Sequence, residues 1–295
     1  MTILMENYHS RMVQTKYGPM LFFKNDDPIG ECLTTYGEWA EQEFSVISKL
    51  VKENSNCIDI GANLGTHSVW LSRHCFKGYT ISIEPQFYIF SLLSTNLMLN
   101  DCMNCLPIKA FVSNKEVDTI NAAVFSPNVN KFNYGEFSIN SIANDGIATP
   151  VIKLDNIHSF GKVDFIKMDC EGTEQEVLLS GHKLLTHDKP HLYLEYNGIN
   201  GNQSIIDTLH DYGYECYWHV YPKFNVENHN KVPVNIYLEL DKQDKAPTVD
   251  DASLLFEANV ICIHKDKDEG MFTDKIQDND NMINWLLRNN WISLE

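Results

Sequence analysis

The segment Cys57-Ile58-Asp59-Ile60-Gly61-Ala62-Asn63-Leu64-Gly65-Thr66-His67-Ser68 decides the fold of this chain. Its first apolar residues predict a short buried strand, and Gly61 and Gly65 allow the backbone to approach a ligand closely. An apolar stripe from Leu64 to Leu71 then predicts a helix directly after the turn. A strand, a glycine turn and a helix in this order are typical of the ligand-binding edge of an open α/β sheet. The segment therefore predicts a site for an adenosine-containing cofactor.

Strand and helix patterns alternate from this segment onward. The predicted strands cover residues 57–62, 79–84, 106–113, 163–168, 191–196, 214–220 and 258–264. The predicted helices cover residues 64–75, 86–100, 173–185, 205–210 and 281–291. No full crossover helix separates the last two strands, so we expect them to pair antiparallel. Alternating βα units followed by such a strand pair predict a three-layer α/β domain.

The chain divides into an extension and a core. We expect residues 1–50 to pack on or cap the core, and residues 51–295 to form the cofactor-binding domain. Two stretches, 114–150 and 221–257, interrupt the pattern and are read as insertions, the first with a hairpin over residues 119–125. The sequence contains no internal repeat and no linker rich in Pro or Gly. We therefore predict one catalytic domain with an N-terminal addition.

Composition excludes several classes of partner. The 295 residues include 40 acids against 23 bases, and the net charge of −17 repels nucleic acid and anionic membrane surfaces. No apolar run approaches the roughly 18 residues that a membrane span needs, and no signal peptide is visible, so the expected location is cytoplasmic. Cys102 and Cys105 form a C-x-x-C without a second pair of zinc ligands. The eight cysteines are therefore expected to be structural thiols.

Two carboxylates narrow the choice of cofactor. The spacing Gly61-x-x-x-Gly65 lacks the G-x-G-x-x-G of dinucleotide-binding folds. Asp59 would repel a pyrophosphate but suits a ligand that carries an ammonium and a sulfonium. Glu84 ends the second strand about 20 residues after the glycine turn, where an acid accepts hydrogen bonds from ribose hydroxyls. These features favour S-adenosyl-L-methionine, a phosphate-free cation.

The chain resembles the FkbM-type family of S-adenosylmethionine-dependent methyltransferases. The matching pieces run in the family's order over roughly residues 36–197, and they are Asp59–Ser68, Ser82-Ile-Glu-Pro85, Asn96 with Asn100, Lys153-Leu-Asp155, Phe165-Ile-Lys-Met-Asp-Cys-Glu-Gly-Thr-Glu174 and Leu194-Glu195. The block from Phe165 to Glu174 is the most specific of them. The resemblance implies a Rossmann-like class I methyltransferase sheet of about seven mostly parallel strands, with the last strand antiparallel.

The resemblance and the strand ends together give the expected site. The candidate cofactor-binding residues are Asp59, Gly61, Asn63, Gly65, Thr66, His67, Glu84, Pro85, Ser113 and Asp169. The candidate catalytic residues, which would remove a proton from the acceptor, are Asp169, Glu171 and His219, and Glu195 is a further candidate for the base. Asp169 and Glu171 have the chemistry to hold a divalent metal, but nothing in the spacing requires one, and we predict none.

The predicted function is methyl transfer from S-adenosylmethionine to a hydroxyl of a glycan or a small-molecule metabolite. Two alternatives stay open: an NAD-dependent oxidoreductase, which the missing third glycine and Asp59 disfavour, and a non-catalytic S-adenosylmethionine-binding module. The sequence indicates neither the acceptor nor the oligomeric state.

Overall fold

The computed structural model describes residues 2–122, 133, 146–196, 203–238, 247–276 and 280–292. It begins with an antiparallel sheet of three strands, followed by two helices. These are β1 (Thr2–Glu6), β2 (Ser10–Thr15), β3 (Gly18–Phe23), α1 (Ile29–Thr35) and α2 (Glu41–Leu50). The sequence patterns predicted none of these elements.

The rest of the described chain alternates strands with helices. The remaining strands are β4 (Cys57–Ile60), β5 (Thr80–Ile83), β6 (Cys105–Ile108), β7 (Phe111–Val112), β8 (Thr119–Ala122), β9 (Ile147–Ile152), β10 (Phe165–Met168), β11 (His191–Glu195), β12 (Tyr214–Pro222) and β13 (Phe256–His264). The remaining α-helices are α3 (Thr66–His74), α4 (Phe87–Leu99), α5 (Glu174–Ser180), α6 (His182–His187), α7 (Gln203–Asp211), α8 (Ala252–Leu255) and α9 (Met282–Arg288). Short 3₁₀ turns cover Leu154–Phe160, Val249–Asp251 and Lys265–Lys267.

Seven of these strands form the central sheet in the order β12-β13-β11-β10-β4-β5-β6. The pairs from β11 to β6 are parallel, whereas β13 runs antiparallel to both of its neighbours. The sheet confirms the predicted fold class, including the antiparallel pair across residues 221–257. The carboxyl ends of β4, β5 and β10 meet at one edge, where open α/β sheets bind their ligands.

Helices cover both faces of this sheet. On one face Ile47 of α2 and Leu71 of α3 pack in the same cluster as Phe165. On the other face Leu178 of α5 and Leu209 of α7 pack with Ile166 and other sheet residues. Because successive strand residues point to opposite faces, β4, β10, β11, β12 and β13 contribute to both clusters. The predicted three-layer arrangement is therefore present.

The first insertion contains a small sheet of its own. β8 pairs antiparallel with β9, and β9 pairs parallel with β7. The first four residues of the hairpin predicted over 119–125 form β8, and the other three lie outside the described residues. The strand predicted over 106–113 is divided between β6 and β7, which belong to different sheets.

The helix predicted over 173–185 is interrupted at Gly181. A Cβ atom at this position would lie 2.5 Å from Cδ2 of Leu154, so the backbone passes directly against that side chain. Glycine also weakens a helix interior. The close contact explains why two short helices, α5 and α6, replace the single predicted one.

The N-terminal sheet is attached to the core through Asn96, a fully buried residue of α4. Its Oδ1 accepts a hydrogen bond from Leu21 N at 2.7 Å, and its Nδ2 donates to Leu21 O at 3.0 Å. The same Nδ2 donates to Leu64 O at 2.8 Å, next to the glycine turn. Asn100 Nδ2 donates to Pro19 O at 2.8 Å one helical turn further on. The two asparagines thus bind β3 as a neighbouring strand would.

Two expectations from composition can be compared with the structure. All eight cysteines are free thiols, and Cys102 is buried beside the end of α4. Within the part of the chain that the structure describes, none of the helices combines the length and hydrophobicity that a bilayer crossing requires.

Candidate active site

The glycine turn after β4 is in close contact with the end of β10. Gly61 has φ +76°, and a Cβ atom there would lie 1.7 Å from the carbonyl oxygen of Asp169. Gly65 has φ +98° and lies against Leu93 of α4. Asn63, between them, is also left-handed at φ +49°. Both glycines are therefore required by the backbone conformation and by the space around them.

Glu84 is held at the carboxyl end of β5, against this turn. Its Oε2 accepts a hydrogen bond from Asn63 N at 3.0 Å, and its Oε1 accepts one from Gln86 N at 2.9 Å. Burial raises the pKa of Glu84 to about 7, although the two backbone N–H groups act in the opposite direction. The carboxylate is fixed where the sequence analysis expected an acceptor for ribose hydroxyls.

Asp59 lies beneath the turn and is fully buried. Its Oδ2 accepts a hydrogen bond from the Ser68 hydroxyl at 2.6 Å. Its Oδ1 has no hydrogen-bond partner among the described residues and lies 3.9 Å from Nζ of Lys167. Asp59 thus places a negative charge under the turn without lining the pocket described below.

The ammonium group of Lys167 lies between two carboxylates, Asp59 in β4 and Asp169 at the end of β10. Its buried ammonium lies 3.1 Å from Oδ2 of Asp169. Burial alone would lower the pKa of Lys167, but the charges of Asp169, Asp59 and Glu43 outweigh that effect and raise it. The side chain is therefore a permanent cation at the centre of an acidic cluster.

Asp169, Glu171 and Glu195 form a carboxyl cluster, with one oxygen of each within 4.8 Å of the others. The interaction between Asp169 and Glu195 lowers the pKa of the first carboxyl and raises that of the second. Burial and the charge of Asp169 raise the pKa of Glu195 well above its ordinary value. Burial opposes ionisation of Asp169 too, but the Lys167 ammonium lowers the pKa of that carboxyl. Glu195 Oε2 is buried without a hydrogen-bond partner among the described residues.

A second polar network surrounds Glu43, a buried residue of α2. Its Oε2 lies 2.7 Å from Nε2 of His67, at the start of α3. Its Oε1 accepts hydrogen bonds from the Tyr221 hydroxyl and, at 3.1 Å, from Asn259 Nδ2. Burial would raise the pKa of Glu43, but the charges of His67 and Lys167 lower it. One carboxylate therefore connects the N-terminal region, the helix after the glycine turn and the last two strands.

His219 lies behind this network. Its Nδ1 accepts a hydrogen bond from the Tyr193 hydroxyl at 2.7 Å, and that hydroxyl accepts one from Asn259 at 2.9 Å. Burial lowers the pKa of His219 to about 4, so the imidazole is neutral at pH 7. The ring is absent from the lining of the pocket, and it positions Tyr193.

A pocket of about 540 Å³ opens between α2, the carboxyl cluster and the last two strands. Carboxylates, aromatic rings and three basic side chains form most of its lining. The lining residues are Trp39, Ala40, Glu43, His67, Lys167, Asp169, Tyr193, Glu195, Tyr221, Lys223, Tyr237, Glu257 and Asn259.

The remaining predicted residues occupy the edge of the sheet with their bonds satisfied. The Ser113 hydroxyl donates to Glu176 Oε2 at 2.7 Å, and the Pro85 carbonyl accepts a hydrogen bond from Thr149 at 3.5 Å. Thr66 is buried at the first turn of α3. Glu174, in the most specific motif, fixes the loop before α5 by accepting hydrogen bonds from Cys170 N and Gly172 N.

Sequence reasoning missed the side of the pocket opposite the carboxyl cluster. Trp39, Glu43, Tyr221, Glu257 and Asn259 come from stretches without a recognisable motif. No local sequence pattern indicates these residues, because residues 43 and 259 come into contact only after α2 has packed beside β13.

A sheet of this strand order, with a glycine turn after β4 and a buried acid at the end of β5, defines a class I S-adenosylmethionine-dependent methyltransferase. Residues 59–216 match the family model described as the methyltransferase FkbM domain. Since this match covers more than half of the chain, the protein belongs to the FkbM methyltransferase family, an enzyme family whose cofactor is S-adenosylmethionine. No functionally curated protein matches the chain at a significant level.

Several solved structures are similar to this chain. The FkbM methyltransferase from Methylobacillus flagellatus KT is 15% identical, with TM-score 0.42, over 72% of this chain and 44% of that protein. M. jannaschii TYW2 in complex with AdoMet is 12% identical, with TM-score 0.47, over 88% of this chain and 87% of that one. A SAM-dependent O-methyltransferase from Thermotoga maritima is 13% identical, with TM-score 0.43, over 87% and 78% of the two chains. At these identities the likeness concerns the fold alone.

Proposed function

We propose that this protein transfers the methyl group of S-adenosylmethionine to a hydroxyl of a small molecule or a glycan. The observation that carries the proposal is the carboxyl cluster of Asp169, Glu171 and Glu195, of which Asp169 and Glu195 line the pocket next to the glycine turn. A hydroxyl acceptor must lose its proton during transfer, and a positioned carboxylate can take it.

The residues at the sheet edge fit the cofactor. S-adenosylmethionine supplies an electrophilic methyl group on a sulfonium. Glu84 would accept hydrogen bonds from the ribose hydroxyls, and Gly61, Asn63 and Gly65 leave the backbone of the turn open to close approach. The unpartnered Oδ1 of buried Asp59 adds negative charge beneath the turn, which suits a cationic ligand. Thr66, His67, Pro85 and Ser113 complete the proposed cofactor-binding set.

Lys167, Asp169 and Glu195 would have different roles in the removal of the proton from the acceptor hydroxyl. The Lys167 ammonium keeps Asp169 ionised at neutral pH, so that Asp169 is ready to accept a proton. Glu195, whose pKa is raised well above its ordinary value, holds its proton beside Asp169 in the lining of the pocket. We assign Glu171 a supporting role, as the third carboxyl of the cluster, and His219 a positioning role through Tyr193. Residues 1–50 would cap the core formed by residues 51–295.

The test measures cofactor binding and methyl transfer separately. Calorimetry with S-adenosylmethionine is expected to show binding, and S-adenosylhomocysteine release is expected with a panel of hydroxyl compounds. Asp169→Asn should lower kcat at least 100-fold with a much smaller change in cofactor affinity, because the proton acceptor is lost while Glu84 remains. Glu116→Gln, at an exposed surface pair with Lys153, is the control.

Two outcomes would contradict the proposal. Absence of S-adenosylmethionine binding would remove the function altogether. Binding without release of S-adenosylhomocysteine across amine, thiol and hydroxyl acceptors would instead indicate a non-catalytic binding module.

A further inference from the structure

The pocket next to the carboxyl cluster is lined mostly by residues outside the part of the chain that matches the family model. Eight of its thirteen lining residues lie outside residues 59–216, the part that matches the family model. They come from the start of α2 and from the segments around β12 and β13. The family-matched side carries Asp169 and Glu195, which the proposed function assigns to proton removal.

We propose that this pocket binds the acceptor and that the acceptor is an uncharged polyhydroxyl compound, such as a neutral sugar unit, rather than a phosphorylated or carboxylated one. The inference rests on the proposed function and adds the chemical class of its substrate.

The first argument is that each basic side chain in the lining already has a carboxylate partner. His67 pairs with Glu43 at 2.7 Å, and Lys167 pairs with Asp169 at 3.1 Å. Lys223, one-quarter exposed near the opening, pairs with Glu257 at 3.2 Å. Within the described lining, no cation is left to neutralise a phosphate or a carboxylate. An anionic acceptor would therefore lose its hydration without gaining a partner, which is costly.

The second argument is that the hydrogen-bonding groups left over suit hydroxyls. Glu195 has a buried oxygen without a hydrogen-bond partner, and Glu257 is partly exposed beside it in the lining. A carboxyl oxygen accepts a hydrogen bond from a sugar hydroxyl, while the ionised carboxylate of Asp169 in the same lining repels an anion. The orphaned oxygen thus points to a ligand that donates hydrogen bonds.

The third argument is the aromatic content of the lining. Trp39, Tyr221 and Tyr237 contribute rings to the same pocket, and Trp39 and Tyr237 are half-buried. Aromatic rings provide apolar area for the C–H faces of a ligand, while the carboxyls engage its polar edge. A sugar ring has both kinds of surface.

The experiment compares two sugar probes that differ only at C6, which carries a neutral hydroxymethyl group in one and a charged carboxylate in the other. Methyl glucoside and methyl glucuronide are titrated by ligand-observed NMR into protein saturated with S-adenosylhomocysteine. The wild-type protein should bind the glucoside at least tenfold more tightly than the glucuronide. Glu257→Gln leaves Lys223 without its partner and should shift the ratio toward the glucuronide by at least fivefold. Glu215→Gln, which frees Lys275 from an ion pair outside the lining of the pocket, should leave the ratio unchanged.

The outcomes separate this inference from the proposed function. Tighter binding of the glucuronide by the wild type, absence of glucoside binding, or an unchanged ratio in Glu257→Gln would overturn the inference. Release of S-adenosylhomocysteine with an anionic hydroxyl acceptor would overturn the inference while leaving the proposed methyl transfer to a hydroxyl intact. Selective glucoside binding without any turnover would support the pocket's preference and remove the proposed function.

Discussion

Glu84 combines two properties that are rarely found in one carboxyl group. It accepts two backbone hydrogen bonds, which favour the charged form, yet its burial raises the pKa to about 7. In the unbound protein the group is therefore half protonated near neutral pH. A ligand that donates hydrogen bonds to the carboxylate must first displace that proton.

We therefore expect the affinity for S-adenosylmethionine to depend on pH through Glu84. Below pH 7 the affinity should fall by about tenfold per pH unit, because the proton competes with the ribose hydroxyls. Calorimetry between pH 5.5 and 8 would measure this slope.

Glu84→Gln is the matched variant for that slope. It should bind about 1–3 kcal/mol more weakly at pH 8 and lose most of the pH dependence. A slope that persists in Glu84→Gln would assign the titration to another group. The sign for stability is opposite: since the pKa is raised on folding, Glu84 contributes stability below its unfolded pKa and loses it as the pH rises through 7.

For single residues, the sequence predicted that most of the side chains proposed to bind the cofactor would lie at one edge of the sheet. Gly61, Glu84 and Asp169 follow recognisable strands, and residues at the carboxyl ends of neighbouring parallel strands must lie close together. Asp59 was expected at the same edge, but it points beneath the turn to Ser68, within the sheet interior. Its direction depends on packing against α3, which the strand pattern does not contain.

Among the elements, α4 has two functions. One side of this helix packs beside the glycine turn through Leu93, and Asn96 binds the edge of the N-terminal sheet. The sequence analysis identified Asn96 and Asn100 only as part of a family resemblance. In the structure both side chains form hydrogen bonds with the backbone of β3, which attaches the N-terminal sheet to the core.

Asn96→Ala should destabilise the protein by roughly 2–4 kcal/mol, because it leaves the buried N–H and C=O groups of Leu21 and the Leu64 carbonyl without partners. Urea-induced unfolding would measure the change. Ser91→Ala, which removes an exposed hydroxyl bonded to Phe87 O in the same helix, should change stability by less than about 0.5 kcal/mol. Equal effects of the two variants would show that Asn96 does not attach the sheet.

The elements that sequence patterns missed share a cause. β1 is exposed along its whole length, so its residues carry no alternation of apolar and polar side chains. The interruption at Gly181 depends on Leu154, 27 positions earlier in the chain. The strands that alternate with helices over residues 57–196 were predictable, because a strand buried on both faces is an almost continuous run of apolar residues.

Across the whole molecule, Glu43 joins three regions of the chain. Its carboxylate contacts His67, Tyr221 and Asn259, and it is buried together with them. No local pattern could have indicated these contacts, since each one depends on the packing of α2 against the completed sheet.

Glu43→Gln should lower the free energy of unfolding by about 3–5 kcal/mol at pH 7, because it removes a buried carboxylate from the network with Tyr221 and Asn259 and from the buried Lys167 cation. The difference from wild type should shrink as the pH falls below 4.5: the pKa of Glu43 is lowered on folding, so its contribution is present above that pH and lost on acidification. Denaturant titrations at pH 7 and pH 4 test both statements. Glu53→Gln, in an exposed pair with Lys77, should cost less than 1 kcal/mol at either pH.

The pocket also has a consequence for the order in which a growing chain acquires its parts. A ribosome releases residues 57–195, with the glycine turn and the carboxyl cluster, well before Glu257 and Asn259. The pocket is enclosed only when Trp39 and Glu43 contact these two residues, which are synthesised about 215 positions later. Contacts between residues so far apart in the sequence form slowly. During synthesis the proposed cofactor-binding residues are therefore expected to come together first, and the proposed acceptor pocket is expected to be completed last.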